Sequence, residues 1–341
     1  MKRALLIVAL FVAPVALFAQ SADRAMLLTP GGTLYSIESN VNAEATSAIT
    51  SMRYLTLTIQ SGQNIIKTNV PASTKGGNNW QPELAYDSDS DALLVFWLRS
   101  QNSVLGTSEL LFCTFQNGKW NAAASVDDVP YHFRYNLKVG VTRSYQVYDP
   151  ETGDSKQVPG LSVHVAWWDE SAIGEVGRYA MLTVEKGVVT DIYRRDLTDF
   201  IMSGSPLKYF ELDEASREIL RHPIVFESAA HDTVDVVFGD MATNALHRLT
   251  LKPVLNSRVR IPIGIRDTAY PAPKYQIGSD ATLSAISTPP DQLVFYYKTN
   301  GAVKYLMFED GAWAREKSIA ITSEVSAEAA VAALRRLIRG D

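Results

Sequence analysis

Phe115-Gln116-Asn117-Gly118-Lys119-Trp120 decides the fold, because the same pattern recurs elsewhere in the chain. Ile59-Gln60-Ser61-Gly62-Gln63-Asn64-Ile65, Val184-Glu185-Lys186-Gly187-Val188-Val189 and Phe308-Glu309-Asp310-Gly311-Ala312-Trp313 share it. Each has an apolar residue, two polar residues and a glycine, then another apolar residue. Asn-Gly or Asp-Gly between β-type runs marks a two-residue hairpin, whose central positions need positive φ. Upstream of each hairpin lies a run of β-branched and aromatic residues: Leu34–Ile37, Leu93–Trp97, Val163–Trp168 and Leu293–Tyr297. A fifth run, Val234–Phe238, leads into a strand with no glycine hairpin. Such residues suit a pleated, half-buried surface. A shorter strand precedes these runs, as in Leu84-Ala85-Tyr86-Asp87, Gln146-Val147-Tyr148-Asp149 and Ile224-Val225-Phe226-Glu227.

The chain therefore divides into five four-stranded units, at 26–72, 80–126, 130–192, 219–265 and 280–322. Repeats of four strands at such spacing predict an all-β fold, a β-propeller of five four-stranded blades over 24–322. A β-sandwich of the same strands is the alternative. Within the 194–221 connection, Asp213–Leu220 reads as a short helix. The tail, 323–341, carries Ala327, Ala330, Val331, Leu334, Leu337 and Ile338 at helical spacing, and predicts a C-terminal amphipathic α-helix. Arg335, Arg336 and Arg339 lie near its negative end. Such a helix packs under the fold or docks a partner.

The segment Tyr86–Asp91, followed by Leu94–Trp97 and Leu111–Trp120, resembles one blade of the sialidase-like and lectin-like β-propellers. The family's Ser-x-Asp-x-Gly-x-x-Trp box is in none of the units. The resemblance thus implies a fold and not a sialidase activity, since propellers host enzymes, lectins and scaffolds. It also implies that the ends of the second strands and the starts of the innermost strands share one rim, away from the glycine hairpins.

The amino terminus reads Met1-Lys2-Arg3 and then an apolar run from Ala4 to Ala19, interrupted by Pro14. A short basic start with roughly 15 apolar residues is the pattern of a secretory signal peptide, cleaved after Ala19 or as late as Ala22. The run is short of the ~20 residues that span a bilayer, and no second stretch approaches that length. The mature chain is expected in the periplasm or outside a bacterial cell, with no transmembrane segment after cleavage. Cys113 is the only cysteine, so there is no internal disulfide, and its apolar surroundings point to a buried, inert thiol. A formal charge of −5 with scattered basic residues argues against nucleic acid as partner. No cofactor motif is present, and the five histidines show no metal-ligand spacing.

By the blade resemblance, Arg99, Trp168, Asp169, Asp240 and Lys298 are expected to form a binding rim. Glu83 and His222 would point toward a central channel. The catalytic candidates are Glu83, Asp169, Glu170, Asp240 and His222, since glycan hydrolysis uses paired carboxylates. Without a catalytic motif, the expected function is a non-enzymatic binding or scaffold protein for a glycan, peptide or envelope protein. The alternatives are a glycoside hydrolase-like protein with paired carboxylates and a structural subunit of a cell-envelope assembly.

Overall fold

The computed structural model describes residues 24–41, 52–100, 107–127, 129, 132–149, 151–171, 174–201, 217–228, 231–273, 283–288, 292–299, 301–321 and 333–334. The signal peptide read at 1–19 lies outside them. No helix among the described residues is long and apolar enough to cross a membrane.

The described chain is all-β. The first four strands are β1 (Arg24–Leu28), β2 (Leu34–Val41), β3 (Arg53–Ser61) and β4 (Asn64–Asn69). Next come β5 (Asn78–Asp87), β6 (Ala92–Ser100), β7 (Glu109–Gln116), β8 (Lys119–Trp120) and β9 (Ala124–Asp127). The middle of the chain forms β10 (Phe133–Tyr148), β11 (Ser155–Ser171), β12 (Gly174–Glu185) and β13 (Val188–Asp196). Then follow β14 (Ile224–Glu227), β15 (Val234–Asp240), β16 (Ala245–Asn256) and β17 (Val259–Pro271). The last are β18 (Leu283–Thr288), β19 (Gln292–Thr299), β20 (Ala302–Glu309), β21 (Ala312–Trp313) and β22 (Lys317–Ala320). Strands within each group pair antiparallel, in consecutive order except that β9 pairs with β7 and β22 with β20. The hairpin glycines Gly62, Gly118, Gly187 and Gly311 all have positive φ, and three of them follow a second positive-φ residue, Asn117, Lys186 or Asp310.

The expected β-propeller of five four-stranded blades with a C-terminal α-helix is corrected, since the strands do not separate into five blades. The strands form three open sheets of nine, eight and five strands. Parallel contacts fuse neighbouring groups: Arg53 pairs with Asn78 between β3 and β5, and Gln146 and Val147 pair with Val254 and Leu255 between β10 and β16. The core runs in layers between neighbouring strand groups. Ile37, Leu57, Val95 and Trp97 fill the first layer, and Phe96, Phe112, Val163 and Trp167 the second. Met181, Leu197, Val236 and Phe238 fill the third, and Val237, Tyr270 and Phe295 the fourth. Among the described residues, no core cluster joins the first group to the last.

The first sheet shows why. Arg24, Glu38, Thr56 and Asn69 face one another across β1 to β4, on the side opposite Ala25, Ile37 and Leu57. Burying this polar row under another sheet would strip it of water without new partners. Of the expected C-terminal helix, only Ala333 and Leu334 are described. Leu334 is buried against Val294, Tyr296, Val303 and Tyr305. The helical turns that are described are short 3-10 turns at Ser73–Lys75, Leu197–Phe200 and Glu218–Arg221. Of the helix read at 213–220, residues 213–216 lie outside the described chain.

The last of these turns sits tightly on β15. A Cβ at Gly239 would lie 2.3 Å from Leu220 Cβ and 2.4 Å from Leu220 backbone atoms. Gly239→Ala is therefore expected to destabilise the protein by about 3 kcal/mol, the upper part of the overpacking range. Urea unfolding checks this; an unchanged midpoint would show that the turn does not press on the strand as described.

Candidate functional site

Two matching irregularities shape one end of the molecule. In β5 the ladder to β6 slips between Trp80 and Glu83, and in β10 the ladder to β11 slips between Tyr135 and Lys138. The same order of side chains stands in both strands: aromatic, amide, apolar, charged, as Trp80-Gln81-Pro82-Glu83 and Tyr135-Asn136-Leu137-Lys138. The amides take positive φ, 47° at Gln81 and 56° at Asn136. Bulges of this kind re-aim side chains, and positive φ at a residue as large as Gln costs energy. Both amides then bridge neighbouring groups. Gln81 Oε1 accepts from the Leu137 amide at 3.2 Å, and Asn136 Nδ2 donates to the Arg221 carbonyl at 2.8 Å.

The bulges bring Glu83 and Lys138 together. Lys138 Nζ lies 3.3 Å from Glu83 Oε1, with both side chains largely buried. Desolvation pushes the Glu83 carboxyl up to about 7, outweighing the lowering pull of the lysine. The residues leading into the two bulges include half-buried aromatics. The Trp80 and Phe133 rings stack at 6.4 Å, and Phe133 lies 5.4 Å from Tyr135.

The neighbouring strands carry several charged pairs. His132 Nδ1 sits 2.7 Å from Asp169 Oδ1, and Arg178 Nε lies 3.3 Å from Asp169 Oδ2 while its Nη1 contacts Asp196. Desolvation raises the Asp196 carboxyl, with Arg178 pulling the other way. Arg134, fully buried, donates to Asp127 Oδ2 through Nε at 3.0 Å and Nη2 at 2.7 Å. Arg221 holds Glu175 with two bonds, 2.7 and 3.0 Å.

The residues expected from the sequence distribute as follows. Glu83 and Asp169 stand in this region, Asp169 only 1% exposed. Glu170 is exposed and lies across the strand pair from Phe133. Adjacent residues of a strand point to opposite faces, so Asp169 and Glu170 are not a facing pair. His222 is half-buried and closes the 3-10 turn at Glu218–Arg221. Arg99 binds Glu109 Oε2 at 2.7 Å. Two rim assignments are corrected by burial. Trp168 is fully buried, its Nε1 donating to Glu175 at 3.3 Å. Asp240 is 8% exposed and accepts from Ala242 N and Thr243 Oγ1, so it serves its own turn. The Lys298 side chain lies outside the described residues.

Sequence reasoning missed Lys138, His132, Phe133 and Tyr135. The repeated aromatic–amide–apolar–charged order was the available signal for Lys138 and Tyr135. His132 pairs with a residue 37 positions away, and nothing local announces that contact. His164 is a core residue, held between Thr142 and Tyr179, and burial lowers it to about 3. Among the described residues no group of three or more His, Cys, Asp or Glu is placed to hold a metal ion.

No family model matches the sequence, and no curated protein matches it. Solved structures show a distant likeness. A GH43_1 enzyme from Xanthomonas citri aligns over 89% of this chain and 92% of its own, at 12% identity and a TM-score of 0.37. A glycosyl hydrolase from Bacteroides ovatus aligns over 87% and 86%, at 10% identity and 0.32. The leech intramolecular trans-sialidase, complexed with 2,7-anhydro-Neu5Ac, aligns over 91% and 52%, at 11% identity and 0.34. Scores this low leave function to be argued from the site itself.

Proposed function

We propose that the protein is an exported hydrolase of glycans in which Glu83 is the proton donor. The observation that carries this reading is a buried carboxyl, paired with Lys138 at a strand bulge three residues from the half-buried Trp80, whose proton affinity is raised to about 7. A general acid works best when its pKa lies near the working pH. Aromatic faces and carboxyls are also the groups that sugar-handling clefts combine. Glu83 gives its proton to the glycosidic oxygen as the C–O bond breaks, and Lys138 at 3.3 Å stabilises the carboxylate left behind. Such a reaction needs a second carboxylate. Glu170, exposed at the rim across from Phe133, is assigned to take the proton of the attacking water. Export rests on the pattern of residues 1–22.

The test is release of reducing sugar from a panel of polysaccharides by the purified mature protein. Wild type is expected to cleave at least one of them. Glu83→Gln is expected to lower kcat by about 10²- to 10⁴-fold, the usual worth of a general acid. Unchanged kcat in this variant contradicts the assignment. Saccharide binding without cleavage of any substrate returns the protein to the non-enzymatic binding reading.

A further inference from the structure

Resting on the reading of Glu83 as the proton donor, we propose that Gln81 is its positioning residue. The Gln81 side-chain oxygen fixes the bulge of β10 and so holds Lys138 against the Glu83 carboxyl. The ladder registers carry this. In β5, Gln81 and Pro82 stand against Trp97 alone, because Trp80 pairs with Leu98 and Glu83 with Phe96. In β10, Asn136 and Leu137 stand against Trp167 alone, because Tyr135 pairs with Trp168 and Lys138 with Ala166. A bulge of two residues against one leaves backbone groups to be satisfied outside the ladder. Pro82 has no N–H to satisfy. Leu137 has one, in a residue only 1% exposed, and it donates to Gln81 Oε1 at 3.2 Å.

This bond sets the offset between the two bulges. Lys138 follows Leu137 directly, and its Nζ lies 3.3 Å from Glu83 Oε1. The two strands are thus joined twice within a few residues, amide oxygen to backbone N–H and ammonium to carboxylate. Asn136 anchors the same bulge to a third segment, its Nδ2 donating to the Arg221 carbonyl at 2.8 Å. Gln81 holds a φ of 47° to make its bond, a conformation that persists only where the surroundings impose it. Without the oxygen, the buried Leu137 N–H lacks its acceptor, a costly state that the bulge relieves by slipping. Lys138 then moves with β10, whereas Glu83 stays on β5 opposite Phe96.

The experiment is a ¹³C NMR titration of the Glu83 carboxyl in the mature protein and in Gln81→Met, Gln81→Gly, Lys138→Met and the Gln81→Met/Lys138→Met double variant. Among the described residues, Lys138 is the charge that acts on this carboxyl, and it lowers a value that burial raises. Lys138→Met is expected to raise the proton affinity of Glu83 about tenfold or more, the effect of one close opposite charge. Gln81→Met keeps the side-chain length without the oxygen, and is expected to raise the affinity about threefold, part of the same effect. Gln81→Gly accepts the positive φ without cost, so it separates the oxygen from backbone strain; the same rise is expected. In the Lys138→Met background, Gln81→Met is expected to add no further rise, because no ammonium is left to misplace. A Gln81→Met carboxyl that titrates as in wild type, or lower, overturns the inference: the bulge then holds without the oxygen or opens to water. An equal rise in both backgrounds also overturns it, since a general loosening of the fold would give that. A rise in Gln81→Met that Gln81→Gly does not share assigns the effect to the backbone angle and overturns it too. A wild-type carboxyl near its ordinary value of 4.5 instead overturns the proton-donor reading, whatever the order of the variants.

Discussion

Arg134→Met is expected to cost about 3–5 kcal/mol of folding stability, the largest single effect foreseen away from the aromatic core. The guanidinium is 1% exposed, and nearly all its donors are in use. It gives two bonds to Asp127 Oδ2 and others to the carbonyls of Ser108, Val129 and His132. Methionine fills much of the volume but leaves a carboxylate and three carbonyls without partners inside the protein. An unpaired buried charge is what makes such a change expensive. The pair also joins β9 to the start of β10, so its loss loosens the segment that carries His132 and Phe133. Adding Asp127→Leu to the variant is expected to restore part of the loss, since replacing both partners removes the orphaned charge. Urea unfolding of the two variants checks this. A loss below about 1 kcal/mol in the single variant would contradict the account.

Glu83 gives the second large effect, and it depends on pH. Its carboxyl has an ordinary value of 4.5 in the unfolded chain and about 7 in the folded protein. Between those values the folded state holds a proton that the unfolded state has released. Stability therefore falls as pH rises from 4.5 through 7, then levels off. The loss is on the order of 3 kcal/mol, at about 1.4 kcal/mol per unit. Glu83→Gln removes this slope. His164 works in the opposite direction: it stays neutral down to about 3 in the fold, so its contribution is lost as pH falls from 6.5 toward 3. It is present in both proteins and cancels in their difference. Unfolding midpoints of wild type and variant, measured from pH 4.5 to 8, are expected to diverge steadily across that window. Parallel curves would show an ordinary carboxyl.

The strands were legible in the sequence because local chemistry writes them. The glycines at 62, 118, 187 and 311 need positive φ, and the apolar runs from Leu93 and Val163 need a pleated, buried surface. The joining of the strand groups was not legible. It depends on brief parallel contacts such as Arg53 with Asn78, which leave no composition signal. The open arrangement turns on Arg24, Glu38, Thr56 and Asn69 sharing one face, which emerges only once the register is known. Glu83 was placed by its position at the start of an inner strand. Trp168 was misread because Trp167 and Trp168 occupy opposite faces and both prove buried. The His132–Asp169 contact is long-range, and only the fold creates it.

The most direct test is a titration of the Glu83 side-chain carboxyl by ¹³C NMR in glutamate-labelled protein, with the resonance assigned by its absence in Glu83→Gln. The account predicts an apparent pKa near 7, so that the group is still substantially protonated at neutral pH and able to donate. A value near 4.5 would contradict it, because the carboxyl would then be an ordinary partner of Lys138 with no proton to give.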